Sequence, residues 1–556
     1  MKRRVLAILL ALMLMLSLGV TAFADGAERS ADIVILYTSD VHCGVDQGFG
    51  YAGLRAVRDY LEAQGNKVFL VDDGDNIQGE PIGTMTKGEL CIELMNAMGY
   101  DIAIPGNHEF DYGMDNFLEL TKKASYTYLS CNFNQDGELI FQPWTIKEFD
   151  GVKIGFVGVT TPMTLRSSTP RYFQEGEGNF IYNFMQDENG EAVYAAVQKA
   201  VDEVRAEGAA YVVVLAHMGN EAECSPWRYD EVIANTTGID IWLDGHSHDT
   251  EQVVTQDKDG HSVLRSGCGT KLANVGYATI GTDGSMATGL YTWAQEIAAP
   301  DLLGLDNAGL EAVKAAKGAL DEKLGEVVAS TAVDLYINDP VAKTEDGKSI
   351  RIIRRAETNL GDLCADAYLN QAGEADIAFV NGGGIRVQLN AGDLTLNDIL
   401  RVHPFGNSLT VIEITGQQVL DALEWSVHSL PGEFGGFDQV AGLTFTVDPT
   451  IPTPVVETAD KMFDHVDESM ARRVSNVMVG GEPIDPERIY KVASHDYQLL
   501  NEGDGYTMFK GANVLQESVK LDNQVLIDYI TETLGGVVSD GYDQPYGQGR
   551  ITVAGE

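Results

Sequence analysis

Five short apolar runs in the first half of this chain each end on Asp, Asn or His within a few residues, and that recurrence limits its fold more than any bulk property. Ile33-Val34-Ile35-Leu36 is followed by Asp40-Val41-His42, and Val68-Phe69-Leu70-Val71 by Gly74-Asp75. Ile102-Ala103-Ile104 leads into Gly106-Asn107-His108-Glu109-Phe110-Asp111. Tyr211 to Leu215 runs into His217, and the run Ile239 to Leu243 into Gly245-His246-Ser247-His248. β-Branched runs of this length, with Ile154-Gly155-Phe156-Val157, read as buried strands. The stretches Tyr51 to Gln64 and Glu191 to Glu207 carry helical patterns. Alternation of the two predicts a layered α/β domain. Residues just past the strand ends of such a domain converge on one edge, where ligands bind. Carboxylate, imidazole and amide donors gathered there suit a borderline divalent metal.

Charge points the same way. The chain holds 83 acidic against 38 basic residues, a formal net charge of −45. Such a field disfavours nucleic acid and anionic membranes as partners. A small anionic substrate then needs cations supplied locally, as metals or as clustered arginines. At the amino terminus, Lys2-Arg3-Arg4 precede an apolar stretch from Val5 to Leu16, and Ala22-Phe23-Ala24 offers a small-x-small cleavage pattern. This reads as a secretory signal peptide over 1–24, since the apolar run is shorter than the ~20 residues of a spanning helix. The expected product is exported, extracellular or in the cell envelope, with no membrane anchor after cleavage. Oligomeric state is not legible. The six cysteines show no paired spacing and read mostly as buried free thiols, Cys43 beside His42 included.

A length of 556 residues implies more than one domain. Beyond Pro300, apolar residues at Leu310, Val313, Leu320, Leu324 and Val327 follow a helical period, with Asp306-Asn307 as cap. A second α/β-type region follows, with strands expected at Ile377 to Val380, Leu409 to Ile414 and Leu443 to Val447. Its arginines cluster: Arg351, Arg354, Arg355, Arg386 and Arg401. Arg354 leads Glu357-Thr358-Asn359-Leu360-Gly361-Asp362-Leu363, and Arg386 closes Asn381-Gly382-Gly383-Gly384-Ile385. Consecutive glycines let backbone approach a ligand closely, and guanidinium forks suit phosphate.

Taken together, Asp40-x-His42, Gly74-Asp75, Gly106-Asn107-His108-Glu109, His217 and Gly245-His246-x-His248 resemble the five motifs of the calcineurin-like metallophosphoesterases. Asn107 to Gly113 narrows the resemblance to the 5'-nucleotidase and UDP-sugar hydrolase branch. Pro404-Phe405-Gly406-Asn407 and Gly503-Asp504-Gly505-Tyr506 resemble that branch's carboxy-terminal domain. The resemblance implies a four-layer α/β/β/α metallophosphatase domain over 31–300, a linker helix over 301–328 and a nucleotide-binding α/β (α+β) domain over 329–556. It implies two divalent ions of the Mn, Zn, Co or Mg class. Asp40, His42, Asp75 and His248 would hold one; Asp75, Asn107, His217 and His246 would hold the other, Asp75 bridging. His108, outside that set, would donate a proton to the phosphoryl or leaving oxygen, oriented by Asp111. Asp72 and Asp73 read as structural.

On the same resemblance, Arg354, Asn381 and Arg386 contact phosphate and base, Asp504 binds ribose hydroxyls, and Phe405 and Tyr497 sandwich the base. The implied activity is release of phosphate from nucleoside 5'-monophosphates such as AMP, with UDP-sugars as further substrates. Water activated by the metals attacks in line, without a phosphoenzyme, and the linker helix allows the two domains to close. Two alternatives stay open: a 2',3'-cyclic-nucleotide phosphodiesterase/3'-nucleotidase, and a surface binding protein or adhesin on the same scaffold. The chain departs from the family in having Glu502 where a second glycine is usual, with Tyr497 displaced by one residue, which leaves base preference open.

Overall fold

The computed structural model describes residues 18–21, 29–175, 180–292, 306–344, 347–516 and 520–554. It divides into Met1–Leu165 with Phe173–Gly318, and Arg166–Tyr172 with Ala319–Glu556.

The first unit is built on two sheets. One runs parallel through Ile33–Thr38, Lys67–Asp72, Ile102–Ala103 and Thr127–Tyr128, with antiparallel strands Asn274–Ile280 and Ser285–Thr292 beyond Ile33–Thr38. The other is parallel through Val152–Thr160, Tyr211–His217, Ile241–Asp244 and Ser262–Gly267, with antiparallel edges Trp144–Phe149 and Gln252–Gln256. Their inner faces share one core, in which Ile35, Phe69 and Ile102 pack with Phe156, Val213 and Leu243. The helix Glu191–Ala206 lays Val193, Val197, Val201 and Val204 on the outer face of the second sheet, against Val157, Val212 and Val214. On the first sheet the helix Gly50–Ala63 packs against Lys67–Asp72. This is the expected α/β/β/α layering. Register sets where the strands stop. Thr38 pairs with Asp72 and Asp72 with Ala103, while His217 pairs with Thr160 and Ala216 with Asp244, so parallel strands of each sheet end level with one another.

The second unit centres on a five-stranded mixed sheet, in the order Asp438–Ala441, Ile377–Asn381, Ile489–His495, Leu409–Thr415 and Asn513–Gln516. One face packs on the helix Asn359–Ala372, whose N-cap Thr358 accepts the Gly361 N–H. Against the other face lies the helix Gly416–Ser426, opened by a capping box of Thr415 and Gln418.

Two expectations meet the structure only in part. The helix after Pro300 covers Ala308–Leu324, with Asn307 Oδ1 accepting the Gly309 and Leu310 N–H groups, but Val327 starts the strand Val327–Thr331. Gly325 ends the helix before its apolar period runs out. Residues 301–305 lie outside the described residues. So does the expected leader, apart from Leu18–Thr21, which pair with Ser285–Thr288 as an edge strand. Among the described residues, no helix is long and apolar enough to cross a membrane.

Candidate functional site

Level strand ends bring the first unit's candidates into two groups. Asp40, His42 and His248 each point one ligand atom into a common space, and Asp75, His217 and His246 do the same. Asn107 joins the second group, its Oδ1 lying 3.2 Å from His217 Nε2 and 2.8 Å from His246 Nδ1. Asp40, His42, Asp75, His246 and His248 all stand at positive φ, between +47° and +79°. Left-handed backbone costs a β-carbon residue on the order of 1 kcal/mol or more and marks positions held for a purpose. Two glycines make room. A Cβ on Gly74 would come within 2.5 Å of Gly106 N, and one on Gly106 within 2.3 Å of Asp75 Oδ1.

The surrounding hydrogen bonds settle which imidazole nitrogens face inwards. Nδ1 of His42 lies 3.1 Å from Gln78 O, and Nδ1 of His217 2.7 Å from Asp73 O. A carbonyl only accepts, so both protons sit on Nδ1 and both Nε2 lone pairs face the clusters. His42 Nε2 lies 3.0 Å from His248 Nε2, and His217 Nε2 3.1 Å from Asp75 Oδ2. Lone pairs and carboxylate oxygens gathered this closely repel unless a cation sits among them. The electrostatics agree. Burial lowers the His217 pKa, yet the Asp75 carboxylate more than reverses this and lifts it to about 10, so that without a metal a proton takes up the Nε2 lone pair beside Asp75 Oδ2, where a cation would otherwise sit. The donor set therefore fits divalent metals.

His108 lies outside both groups. Its Nδ1 is 2.6 Å from Asp111 Oδ2, and its backbone N–H donates to Asp75 Oδ1 at 2.7 Å. Asp72 accepts from Thr38 Oγ1, Asn76 Nδ2 and the Gly74 N–H, which pins its own turn. The six cysteines are buried, and no disulfide joins them. Cys43 Sγ lies 3.4 Å from Cys91 Sγ and belongs to neither ligand group.

Sequence reasoning leaves two supports unassigned. Glu109 accepts the N–H groups of Asp75, Asn76 and Gly106 and so ties two ligand loops together; burial and the Asp75 charge push its pKa to about 7. It stands inside the Gly-Asn-His-Glu motif, which is a usable signal. Arg265, fully buried, donates to Asp244 Oδ2 at 3.0 Å and to Asp249 Oδ2 at 2.7 Å, and lies over the Tyr229 ring. Asp244 in turn accepts the Met218 N–H. No local pattern marks Arg265.

The remaining candidates belong to the second unit. Asn381 Nδ2 donates to Asp504 Oδ2 at 2.6 Å. Asp504 stands at φ +51°, its N–H donating to Tyr497 Oη and its carbonyl accepting from Trp425 Nε1. Burial raises the Asp504 pKa, and Asn381, Arg166 and Arg354 draw it back. The Arg386 guanidinium lies 5.6 Å from the Phe405 ring centre. Arg351 is taken up by Glu433 at 2.5 Å. The glycine run departs from expectation. A Cβ on Gly382 would meet Ile353 O at 2.2 Å and one on Gly383 would meet Gly435 O at 2.9 Å, so these two glycines admit the protein's own backbone. The Tyr497 ring lies where a Gly503 Cβ would come within 2.4 Å, and Glu502 takes φ +60° without being glycine, paired with Lys510. Arg166 carries no sequence signal. Along the chain it lies among the first unit's strands, yet it donates to Lys461 O at 3.0 Å and its guanidinium lies 5.6 Å from the Phe434 ring.

Comparison with known proteins agrees with both halves. The calcineurin-like phosphoesterase family pattern matches residues 33–250, and that of the 5'-nucleotidase, C-terminal domain matches residues 340–511. The chain is similar to a 5'-nucleotidase of Vibrio cholerae serotype O1, 26% identical with 91% of each chain covered. It is also similar to protein UshA of Yersinia enterocolitica serotype O:8, 25% identical over 92% of this chain and 94% of that one. Among solved structures, a 5'-nucleotidase precursor from Thermus thermophilus superposes with a TM-score of 0.75 at 26% identity, covering 94% of this chain and 100% of that one.

Proposed function

Because the chain belongs to the 5'-nucleotidase family, a calcineurin-like phosphoesterase domain followed by a 5'-nucleotidase C-terminal domain, we propose that it is an exported metal-dependent phosphohydrolase of nucleoside 5'-monophosphates. UDP-sugars are its further substrates. The observation that carries the reading is the pair of ligand groups beside the His108–Asp111 pair. A binding protein or adhesin has no use for an imidazole held by a carboxylate next to two metal sites.

Asp40, His42, Asp75 and His248 would hold one ion, and Asp75, Asn107, His217 and His246 the other. Carboxylate Asp75 has two oxygens and can serve both. Bound divalent cations of the manganese, zinc, cobalt or magnesium class neutralise phosphoryl oxygens and make water a nucleophile near neutral pH. His108, with Nδ1 engaged by Asp111, gives its proton from Nε2 to the leaving oxygen. In the second unit, Asp504 accepts from ribose hydroxyls while Arg354, Asn381 and Arg386 address phosphate and base. Phe405 and Tyr497 stack on the base, an interaction of ~1–3 kcal/mol that tolerates any base. The amino-terminal leader pattern supports export.

Phosphate release from a nucleotide panel, after reconstitution with several divalent metals, tests this. AMP is expected to be hydrolysed well ahead of 2',3'-cyclic AMP. The reverse order would move the protein to the cyclic-nucleotide branch, and no hydrolysis with any metal would leave only a binding role.

A further inference from the structure

The strand Ile489–His495 ends on a buried histidine that none of the family motifs includes. His495 caps the short helix Asp496–Leu499, its Nδ1 accepting the Gln498 N–H at 3.2 Å. Burial keeps the imidazole neutral, lowering its pKa to about 3. A neutral ring carries one proton, and an accepting Nδ1 places it on Nε2. Nε2 lies 2.8 Å from Asn381 Oδ1 and donates to it. That donation orients the Asn381 amide: oxygen towards His495, nitrogen towards Asp504 Oδ2. The Asp504 backbone is held separately, by Trp425 Nε1 at its carbonyl and Tyr497 Oη at its N–H. One grip on the Asp504 carboxylate is therefore the chain His495, Asn381, Asp504, beside the Tyr497 hydroxyl and the charges of Arg166 and Arg354.

We propose that His495 is a positioning residue for sugar recognition: through Asn381 it sets the Asp504 carboxylate to accept from a vicinal diol, and so sets the preference for ribonucleotides over 2'-deoxyribonucleotides. A carboxylate can take a hydrogen bond from each of two adjacent hydroxyls, and a 2'-deoxyribose presents only one of them. The inference rests on the assignment of Asp504 to the ribose. It assigns His495 no part in the chemical step, because His495 acts through Asn381.

The two nitrogens of His495 can be tested apart. His495→Asn keeps an acceptor near Nδ1, and with it the helix cap, but loses the donor to Asn381. His495→Gln keeps a donor near Nε2 and loses the cap. In the metal-reconstituted full chain, the parental KM for 2'-deoxy-AMP should exceed that for AMP by about tenfold, the worth of one hydrogen bond to a charged group. His495→Asn should raise the AMP KM by about that factor and leave 2'-deoxy-AMP, kcat and p-nitrophenyl phosphate turnover nearly unchanged, so that the preference disappears. His495→Gln should retain the preference despite a lower melting temperature. An unchanged preference in His495→Asn overturns the proposal, as does an equal KM rise for both nucleotides. Calorimetric binding of AMP and 2'-deoxy-AMP gives the same comparison without turnover. A parent that binds with ribose preference but hydrolyses neither would overturn the hydrolase reading and leave His495 to be decided by the binding data.

Discussion

Asp75 links the second ligand group to His108: one oxygen lies at His217 and the other accepts the His108 N–H. Asp75→Ala is expected to lose bound metal and activity together. His108→Ala should retain metal, measured by elemental analysis, while its rate falls roughly 10²–10⁴-fold, the usual worth of a general acid; parental turnover would remove His108 from the chemistry. A second prediction concerns Asp438, buried against Gln498 and Tyr506, with a pKa raised to about 8, chiefly by burial. Tyr506 has one proton and two neighbours, Gly436 O at 2.5 Å and Asp438 Oδ2 at 2.7 Å. A protonated Asp438 donating to Tyr506 satisfies both. The folded protein then holds a proton that the unfolded chain releases near pH 3.8. Its contribution is full below that pH, fades as pH rises and is gone above about pH 8. Asp438→Asn mimics the protonated form and does not titrate. In denaturant unfolding it should gain on the parent by on the order of 2–5 kcal/mol between about pH 4 and 9. A gap that does not change with pH would mean Asp438 is ionised throughout.

At the scale of elements, the ligand loops are held by neighbours that carry no ligand. Arg265, on the strand Ser262–Gly267, grips Asp244 at one end of the Gly245–His248 loop and Asp249 at the other. Arg265→Met should leave the buried Asp244 carboxylate and the half-buried Asp249 carboxylate uncompensated, at a cost of about 3–5 kcal/mol. It should also weaken metal binding roughly 10–100-fold, as loss of outer partners does. Equilibrium dialysis and thermal unfolding would measure the two effects, and a variant with parental metal affinity would show that the loop keeps its shape unaided. Glu502 is the opposite case. The turn before Asp504 takes left-handed backbone there on a glutamate, whose carboxylate pairs with Lys510.

For the whole molecule, every candidate metal ligand belongs to the first unit and every candidate nucleoside partner to the second. Substrates with and without a nucleoside should therefore respond differently to the same change. Phe405→Ala is expected to raise the KM for AMP by about tenfold, from lost stacking, and to spare p-nitrophenyl phosphate. Equal losses on both would indicate a folding defect, and no loss on either would take Phe405 out of the pocket.

The strands and the motifs behind them were legible because burial imprints a short-range pattern: β-branched runs of four to six residues, then a turn whose Gly, Asp, Asn or His must accept unusual backbone. The family resemblance followed from the same local words, and with it the layered α/β architecture. Other features were decided only in three dimensions. Which imidazole nitrogen faces inwards depends on carbonyls of Gln78 and Asp73, the latter 144 residues from its histidine. Arg166–Tyr172 join the second unit although the chain on either side of them belongs to the first. The glycines at 382 and 383 answer to backbone at Ile353 and Gly435. His495 orients Asn381 across 114 residues of chain. In each case the partner is chosen by how buried polar groups find one another once the cores have packed, and no spacing along the chain records that choice.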